Sequence, residues 1–257
     1  MTESGTTPQQ TQFNVLLIGD DCTDTYTYGY VNRISPEAPV PVFEPHSQIV
    51  LRGMAGNVYN NLTELGCNVN YLHGKTSHKE RLIDYRSKQQ LVRIDRDEVS
   101  EPLTFASAIP PMYDAIVISD YNKGTVTYDL VEELRNEFVG PIFIDTKKTD
   151  LARFNGCYVK INELEKSRAT SLPDDEWLIT TYGDRGAMWK HSAFSPEHSV
   201  KVADVTGAGD TFLSALVYEY LNTNDMKTAI MFANRASSIT VQRIGVYAPR
   251  LEEITRV

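Results

Sequence analysis

The sequence predicts an α/β domain with a mostly parallel central sheet and helices on both faces. Two observations carry that expectation. Short, unbroken apolar runs recur at Asn14–Ile18, Ala115–Ile118, Pro141–Ile144 and Trp177–Thr180, each stopped by a glycine or a polar turn. Between them lie stretches whose apolar residues repeat at helical spacing. A strand covered on both faces has no polar side to alternate with, so parallel-sheet strands read as continuous apolar runs. Strands alternating with helices then stack into α/β layers.

Taken in order, residues 1–12 are polar and rich in Thr and Gln, without a basic start or an apolar stretch. They read as a disordered tail and not as a signal peptide. Residues 13–257 read as a single domain. The first strand, Asn14–Ile18, is expected to stop at Gly19-Asp20. Asn57 to Leu65 reads as a helix ended by Gly66. Tyr128 to Phe138 sets Leu130, Val131, Leu134 and Phe138 on one stripe, with Gly140-Pro141 terminating it. A third helix, from about Ala208 to Leu221, sets Phe212, Leu213, Leu216, Val217, Tyr220 and Leu221 at helical spacing, and a fourth runs from Met226 to Val241. Val40–Phe43 and Gln89–Asp95 fall outside this rhythm. They read as parts of a small β lid, with lid strands expected over about 26–50 and 85–97.

Composition narrows the function classes. The chain has 257 residues, 41% of them apolar, which is enough for a sizeable core. Acidic residues outnumber basic ones, 34 to 25, for a formal charge of -9. That balance disfavours nucleic acid and anionic membranes as partners, while leaving room for a local phosphate site. Cys22, Cys67 and Cys157 are scattered, with no disulfide or zinc spacing, as expected in a reducing cytoplasm. No apolar run is long enough to span a bilayer.

In open α/β sheets ligands bind beyond the carboxyl ends of the strands. The polar residues there are Asp20, Asp24, Asp120, Asp145 and Thr181. The strongest local signal is Val205-Thr206-Gly207-Ala208-Gly209-Asp210-Thr211, which opens an amphipathic helix. Two glycines allow a tight turn with uncovered amides. Amides at a helix start attract an anion and can hold developing phosphate charge. An acid in the first turn is within reach of a group attacking that phosphate, and its carboxylate can take the proton. A plain glycine turn followed by a dipole-complementing acid is the other reading of that segment alone.

Asp204–Thr211 resembles the C-terminal signature of the ribokinase-like (phosphofructokinase-B) sugar kinase family. Arg33–Val42, Gln89–Asp95 and Ser119–Gly124 look like the matching segments of its heptose-7-phosphate kinases. The resemblance runs in order from about Asn14 to Tyr247. It implies a three-layer ribokinase-like fold with a β lid, and ATP-dependent transfer of a phosphoryl group to a sugar hydroxyl. Asp210 is then the base, with Gly207, Ala208 and Gly209 as the anion loop.

The same resemblance puts Asp24, Gly53, Asn57 and Asp120 on the sugar side; Asn57 also suits a helix N-cap. Lys147, Arg93 and Lys123 become candidates for a phosphate already on the substrate. Asn162 and Glu165 match the family's Asn-x-x-Glu, which supports Mg2+ and the phosphates through water, and they also suit a polar helix start. Thr181, Gly183 and Gly186 match the nucleotide turn, with Thr206, Asn234 and Gly245 on the ATP side. A homodimer through the lid is the implied assembly.

The departures are specific. Gly53-Met54-Ala55-Gly56-Asn57 lacks the second glycine of the family motif, and Tyr59 stands where a small residue is usual. The segments after Gly74 and after Glu165 are short, and thinning of this kind exposes apolar surface. A nucleotidyltransferase domain follows the kinase in bifunctional relatives, and no room for one is expected before Val257. A non-catalytic binding relative, or a kinase for another sugar or a nucleoside, stays open on these residues.

Overall fold

The computed structural model describes residues 12–104 and 112–256. The expected tail lies outside these, apart from Gln12.

Strands β1 (Asn14–Ile34), β3 (Asn68–Asp84), β5 (Ala115–Asp120), β6 (Ile142–Thr146), β7 (Tyr158–Asn162) and β8 (Leu178–Thr181) pair in parallel. β2 (Pro41–Met54), β4 (Gln90–Arg96), β9 (Ala187–Trp189) and β10 (Ser192–Phe194) join antiparallel. The sheet order is β10-β9-β8-β7-β6-β5-β1-β3-β4, with β2 on the outer half of β1. The mostly parallel sheet is therefore as the apolar runs predicted.

Alternate residues of each core strand face opposite layers. Val15, Leu17, Ala115, Val117 and Phe143 pack with the helices α1 (Ala55–Glu64), α4 (Ala208–Thr223), α5 (Met226–Thr240) and α6 (Leu251–Thr255). Leu16, Ile18, Ile116, Ile118 and Ile144 pack on the other face with α2 (Tyr128–Glu137) and the short turn Leu151–Phe154. Most of these strand side chains have no exposed surface at all. Burying one such Leu, Ile or Phe stabilises the fold by about 1.5–3 kcal/mol. A charge on either face of these strands is therefore costly unless it is paired.

β1 corrects one expectation. It does not stop at Gly19-Asp20 but continues to Ile34, because β2 and β3 supply hydrogen-bonding partners for its outer half. The only break inside the core is a register shift against β3 between Gly19 and Asp21. Glycine is required there, since a Cβ on Gly19 would lie 2.2 Å from the Ser119 carbonyl oxygen. The expected lid segments fall on outer β1, β2 and β4. The outer half of β3 had no apolar pattern to announce it.

The expected shortening is visible twice. β3 passes from the core to the outer sheet as a single strand, and α3 (Glu163–Arg168) has only six residues. The end of the core half of β1 and the carboxyl ends of β5, β6, β7 and β8 share one edge, where Asp20, Asp120, Asp145, Asn162 and Thr181 gather.

Candidate active site

Asp210 lies in the first turn of α4 and is 7% exposed. Asn57 donates its side-chain amide to Oδ2 at 2.8 Å, and the Tyr121 hydroxyl donates to Oδ1 at 3.2 Å. Burial pushes the Asp210 carboxyl up to about 6, and the Asp145 charge adds to the rise. The hydrogen bonds from Asn57 and Tyr121 and the Lys160 charge oppose it. The outcome is a carboxylate that takes a proton near neutrality, which suits a general base.

Gly207 caps α4 with φ 78, a conformation that favours glycine. A Cβ there would lie 2.7 Å from the Asn57 Nδ2. At Gly209 a Cβ would lie 3.0 Å from the Lys160 Nζ. The two glycines thus serve close approach as well as turning. Asp204 anchors the loop from behind, accepting the Thr206 hydroxyl and amide on Oδ1 and the Gly245 amide on Oδ2. Burial alone would raise the Asp204 carboxyl, but these hydrogen bonds outweigh it and hold it below its ordinary value. Gly245 therefore braces the loop and does not line the pocket expected to hold adenine.

Sequence reasoning missed three residues. Lys160, on β7, is 3% exposed and donates to Asp145 Oδ2 at 2.7 Å and to the Gly209 carbonyl at 3.3 Å. Its signal was a lysine interrupting the apolar run before Asn162. Tyr121 lies within Ser119–Gly124 and carries no separate signal in the sequence. Asn61 bonds the Asn57 carbonyl and accepts the Thr211 hydroxyl, fixing α1 against α4 behind the base.

Asn162 and Glu165 form a reciprocal capping box on α3, each side chain accepting the other's backbone N–H at 2.8 Å. The polar-helix-start reading is therefore realised. The second Glu165 oxygen pairs with Lys147, whose ammonium also lies 5.2 Å from the Tyr121 ring centre. Among the described residues no three His, Cys, Asp or Glu side chains cluster as a metal cage. Asn162, Glu165 and Asp145 suit instead a cation carried by phosphates and reached through water.

Beyond Asp210 lie the residues expected at the sugar. Asp24 is 7% exposed, and its Oδ1 accepts from Arg81 at 2.6 Å. Gly53 borders Oδ2, where an added Cβ would sit at 2.2 Å. Arg93 makes a two-pronged pair with Asp95, and Lys123 pairs with Asp97. Asn57 does not cap its helix; that position belongs to Met54, with φ 51.

Asp120 departs from expectation. Its side chain has no exposed surface, and its oxygens accept from Thr146, the Asn122 amide and Lys148. It holds the ends of β5 and β6 together and offers nothing to a sugar.

On the other side of the glycine loop is a pocket lined by Thr181, Gly183, Gly186, Ala208, Gly209 and Asn234, with Val205, Phe212 and Val241. The expected nucleotide-turn residues therefore do converge. Gly183 and Gly186 take φ 61 and φ 83. Asn234 spends its amide on the Phe194 carbonyl at 2.8 Å, tying α5 to β10.

Residues 155–254 match the pfkB family of carbohydrate kinases. Over these residues the chain is similar to that family. Its fold agrees: the ribokinase of Thermotoga maritima superimposes with a TM-score of 0.69 at 16% identity, covering 95% of this chain and 98% of that one. The ribokinase of Arabidopsis thaliana, complexed with ribose and ATP, gives 0.67 at 13%, covering 96% and 98%. At these identities the likeness establishes the ribokinase fold.

Two curated relatives are bifunctional proteins HldE. That of a Nitratiruptor species is 31% identical, over 93% of this chain and 64% of the relative. That of Desulfatibacillum aliphaticivorans is 32% identical, over 90% and 60%. The chain thus spans less than two thirds of their length.

Proposed function

We propose that this protein is an ATP-dependent kinase that transfers the γ-phosphoryl group to a hydroxyl of a phosphorylated sugar. The observation that carries this reading is Asp210. It is buried, it ionises near neutrality, and it sits at the start of α4, where Ala208 and Gly209 line the Thr181–Asn234 pocket and Asn57 of α1 holds its Oδ2.

On this reading Asp24 and Asn57 orient the sugar, and Asp210 accepts the proton of the attacking hydroxyl. The hydroxyl oxygen bonds to the γ-phosphorus as the bond to the bridging oxygen of ADP breaks. The Gly207–Gly209 amides and the Lys160 ammonium face the charge that spreads over the transferring group. Lys160, held by Asp145, enters as a fixed point charge and needs no reorganisation. Bound Mg2+ would supply charge neutralisation on the phosphates, supported through water by Asn162 and Glu165. The outer strands would exclude water from the transfer.

A phosphorylated acceptor is favoured by the cations around the sugar pocket. In a chain of formal charge -9, Lys79, Arg81, Arg93, Lys123 and Lys147 gather there. All but Lys79 have a carboxylate partner among the described residues. Lys79 instead stands 5.9 Å from the Tyr121 ring centre. Heptose 7-phosphate, taken at its C1 hydroxyl, is the first substrate to test, because the relatives are HldE proteins. Exposed Ile49, Val50, Leu91 and Val92 on the outer strands support a homodimer through that sheet. No helix among the described residues is long and apolar enough to cross a membrane, in keeping with a cytoplasmic site of action.

Met54, in place of the family's second glycine, favours a second reading, in which the altered pocket takes another sugar or only binds. ADP release with magnesium-ATP across a panel of free and phosphorylated sugars decides between them, with Asp210→Asn as control. Sugar-dependent turnover that drops on the order of 10²–10⁴-fold in the variant supports the kinase. ATP binding without turnover on any sugar would transfer the case to the binding protein.

A further inference from the structure

We propose that Tyr121 is a stand-in for the acceptor: without sugar, its hydroxyl occupies the Asp210 oxygen that would receive the attacking hydroxyl, which keeps water from using the base. This inference rests on the kinase reading.

Asp210 has two side-chain donors, and they are not equivalent. The Asn57 bond, 2.8 Å, is at the ordinary optimum for an N–H donor. Asn57 itself is fixed within α1, since its carbonyl and Oδ1 both accept from Asn61. The Tyr121 bond is 3.2 Å, long for a hydroxyl on a carboxylate, where about 2.5–2.7 Å is usual. The weaker bond is the one an incoming hydroxyl displaces.

The anchoring of Tyr121 agrees with a ring that swings from a fixed base. Its backbone amide donates to Asp20 Oδ2 at 2.8 Å, and the Lys123 amide holds the same oxygen at 3.0 Å. The hydroxyl bonds only Asp210 among the described residues. Two ammonium groups stand near the ring, Lys79 at 5.9 Å and Lys147 at 5.2 Å from its centre. Burial, with the Asp210 charge, keeps the phenol protonated well above its ordinary range, so it remains a donor at every working pH.

The step being suppressed is hydrolysis. Water's oxygen would bond to the γ-phosphorus of ATP, the bond to the bridging oxygen would break, ADP would leave, and Asp210 would take water's proton. Such a water needs hydrogen-bonding access to Asp210, whose Oδ2 is already held by Asn57. Tyr121 holds the Oδ1 position while the sugar pocket is empty and yields it to a sugar hydroxyl.

The test compares wild type, Tyr121→Phe and Tyr121→Leu for magnesium-ATP hydrolysis without sugar and for phosphoryl transfer with saturating sugar. Folding is checked by circular dichroism and melting. The expected result is a rise on the order of tenfold in the ratio of sugar-independent hydrolysis to sugar-dependent kcat in both variants. The gain disappears when Asp210→Asn is added. The acid limb of the residual hydrolysis moves to higher pH in Tyr121→Phe, because a bond that stabilises the carboxylate is gone. Sugar turnover retained with hydrolysis at the wild-type level overturns the inference and leaves the kinase reading intact. Equal loss of both rates in folded variants also overturns it, showing a structural role. A wild type inactive on every sugar, with variants that do not hydrolyse ATP, overturns both.

Discussion

Asn57 and Asp210, 153 residues apart in the chain, meet at 2.8 Å between α1 and the start of α4. This bond joins the sugar side to the base, and it is one of the forces opposing the rise of the Asp210 carboxyl. Asn57→Ala therefore raises that carboxyl further. A base works only when ionised, so activity falls as pH drops through its pKa. The acid limb of kcat/KM, expected near pH 6 in wild type, moves upward in the variant. A pH–rate profile checks this; an unmoved limb would remove Asp210 as the titrating group.

The raised Asp210 carboxyl is also a stability cost. Its folded value, about 6, lies above its ordinary 3.8. The protonated form therefore favours the fold, and that contribution is complete below about pH 4 and lost as pH rises through about 6. At pH 8 the ionised group costs about 3 kcal/mol, at 1.36 kcal/mol per unit. Asp210→Asn keeps an oxygen to accept from Asn57 and removes the charge. It should gain about 1–3 kcal/mol at pH 8 and nothing below pH 4. Denaturant titrations at the two pH values measure the difference.

Lys160 is expected to act on transfer and not on sugar affinity. Replacing it with Met removes the ammonium beside Gly209 and leaves the half-buried Asp145 without its closest cation. The loss in kcat should be about 10²–10³-fold, as for other fixed donors facing developing charge. The sugar KM should change little. Steady-state kinetics of Lys160→Met separate the two parameters.

Met54 holds φ 51 and ψ -131 at the start of α1, a region that residues with a Cβ seldom occupy and that costs about 1–3 kcal/mol. Its side chain is 5% exposed, so truncation loses packing as well. Met54→Ala loses the packing and keeps the strain. Met54→Gly loses the packing and relieves the strain. The glycine variant should therefore be the more stable of the two by about 1 kcal/mol or more. This reverses the usual order of these residues in helices, and chemical denaturation would reveal it.

Much of this was legible in the sequence because core strands announce themselves by burial on both faces, as Ala115–Ile118 does. The Gly207–Asp210 loop announced itself by its paired glycines, the first of which takes a positive φ. What stayed hidden depends on neighbours distant in the chain. The outer half of β3 is polar and gains strand character only by pairing with β1 and β4. Asp120 looked like an open strand-end acid until Thr146 and Lys148 closed over it. Lys160 was readable only as an anomaly, since its partner Asp145 lies on the adjacent strand.

β1 and β3 run from the core into the outer sheet without a loop between. The outer strands therefore have no hinge of the usual kind. Displacing them changes the twist of a continuous hydrogen-bonded ribbon, and the twist is carried past Asp20 and Asp24 on the same strand. The Gly19–Asp21 register shift interrupts the β1–β3 ladder at the junction of core and outer sheet. The outer sheet is in effect a lever mounted on a torsion spring, and the carboxylates at its pivot turn whenever it moves.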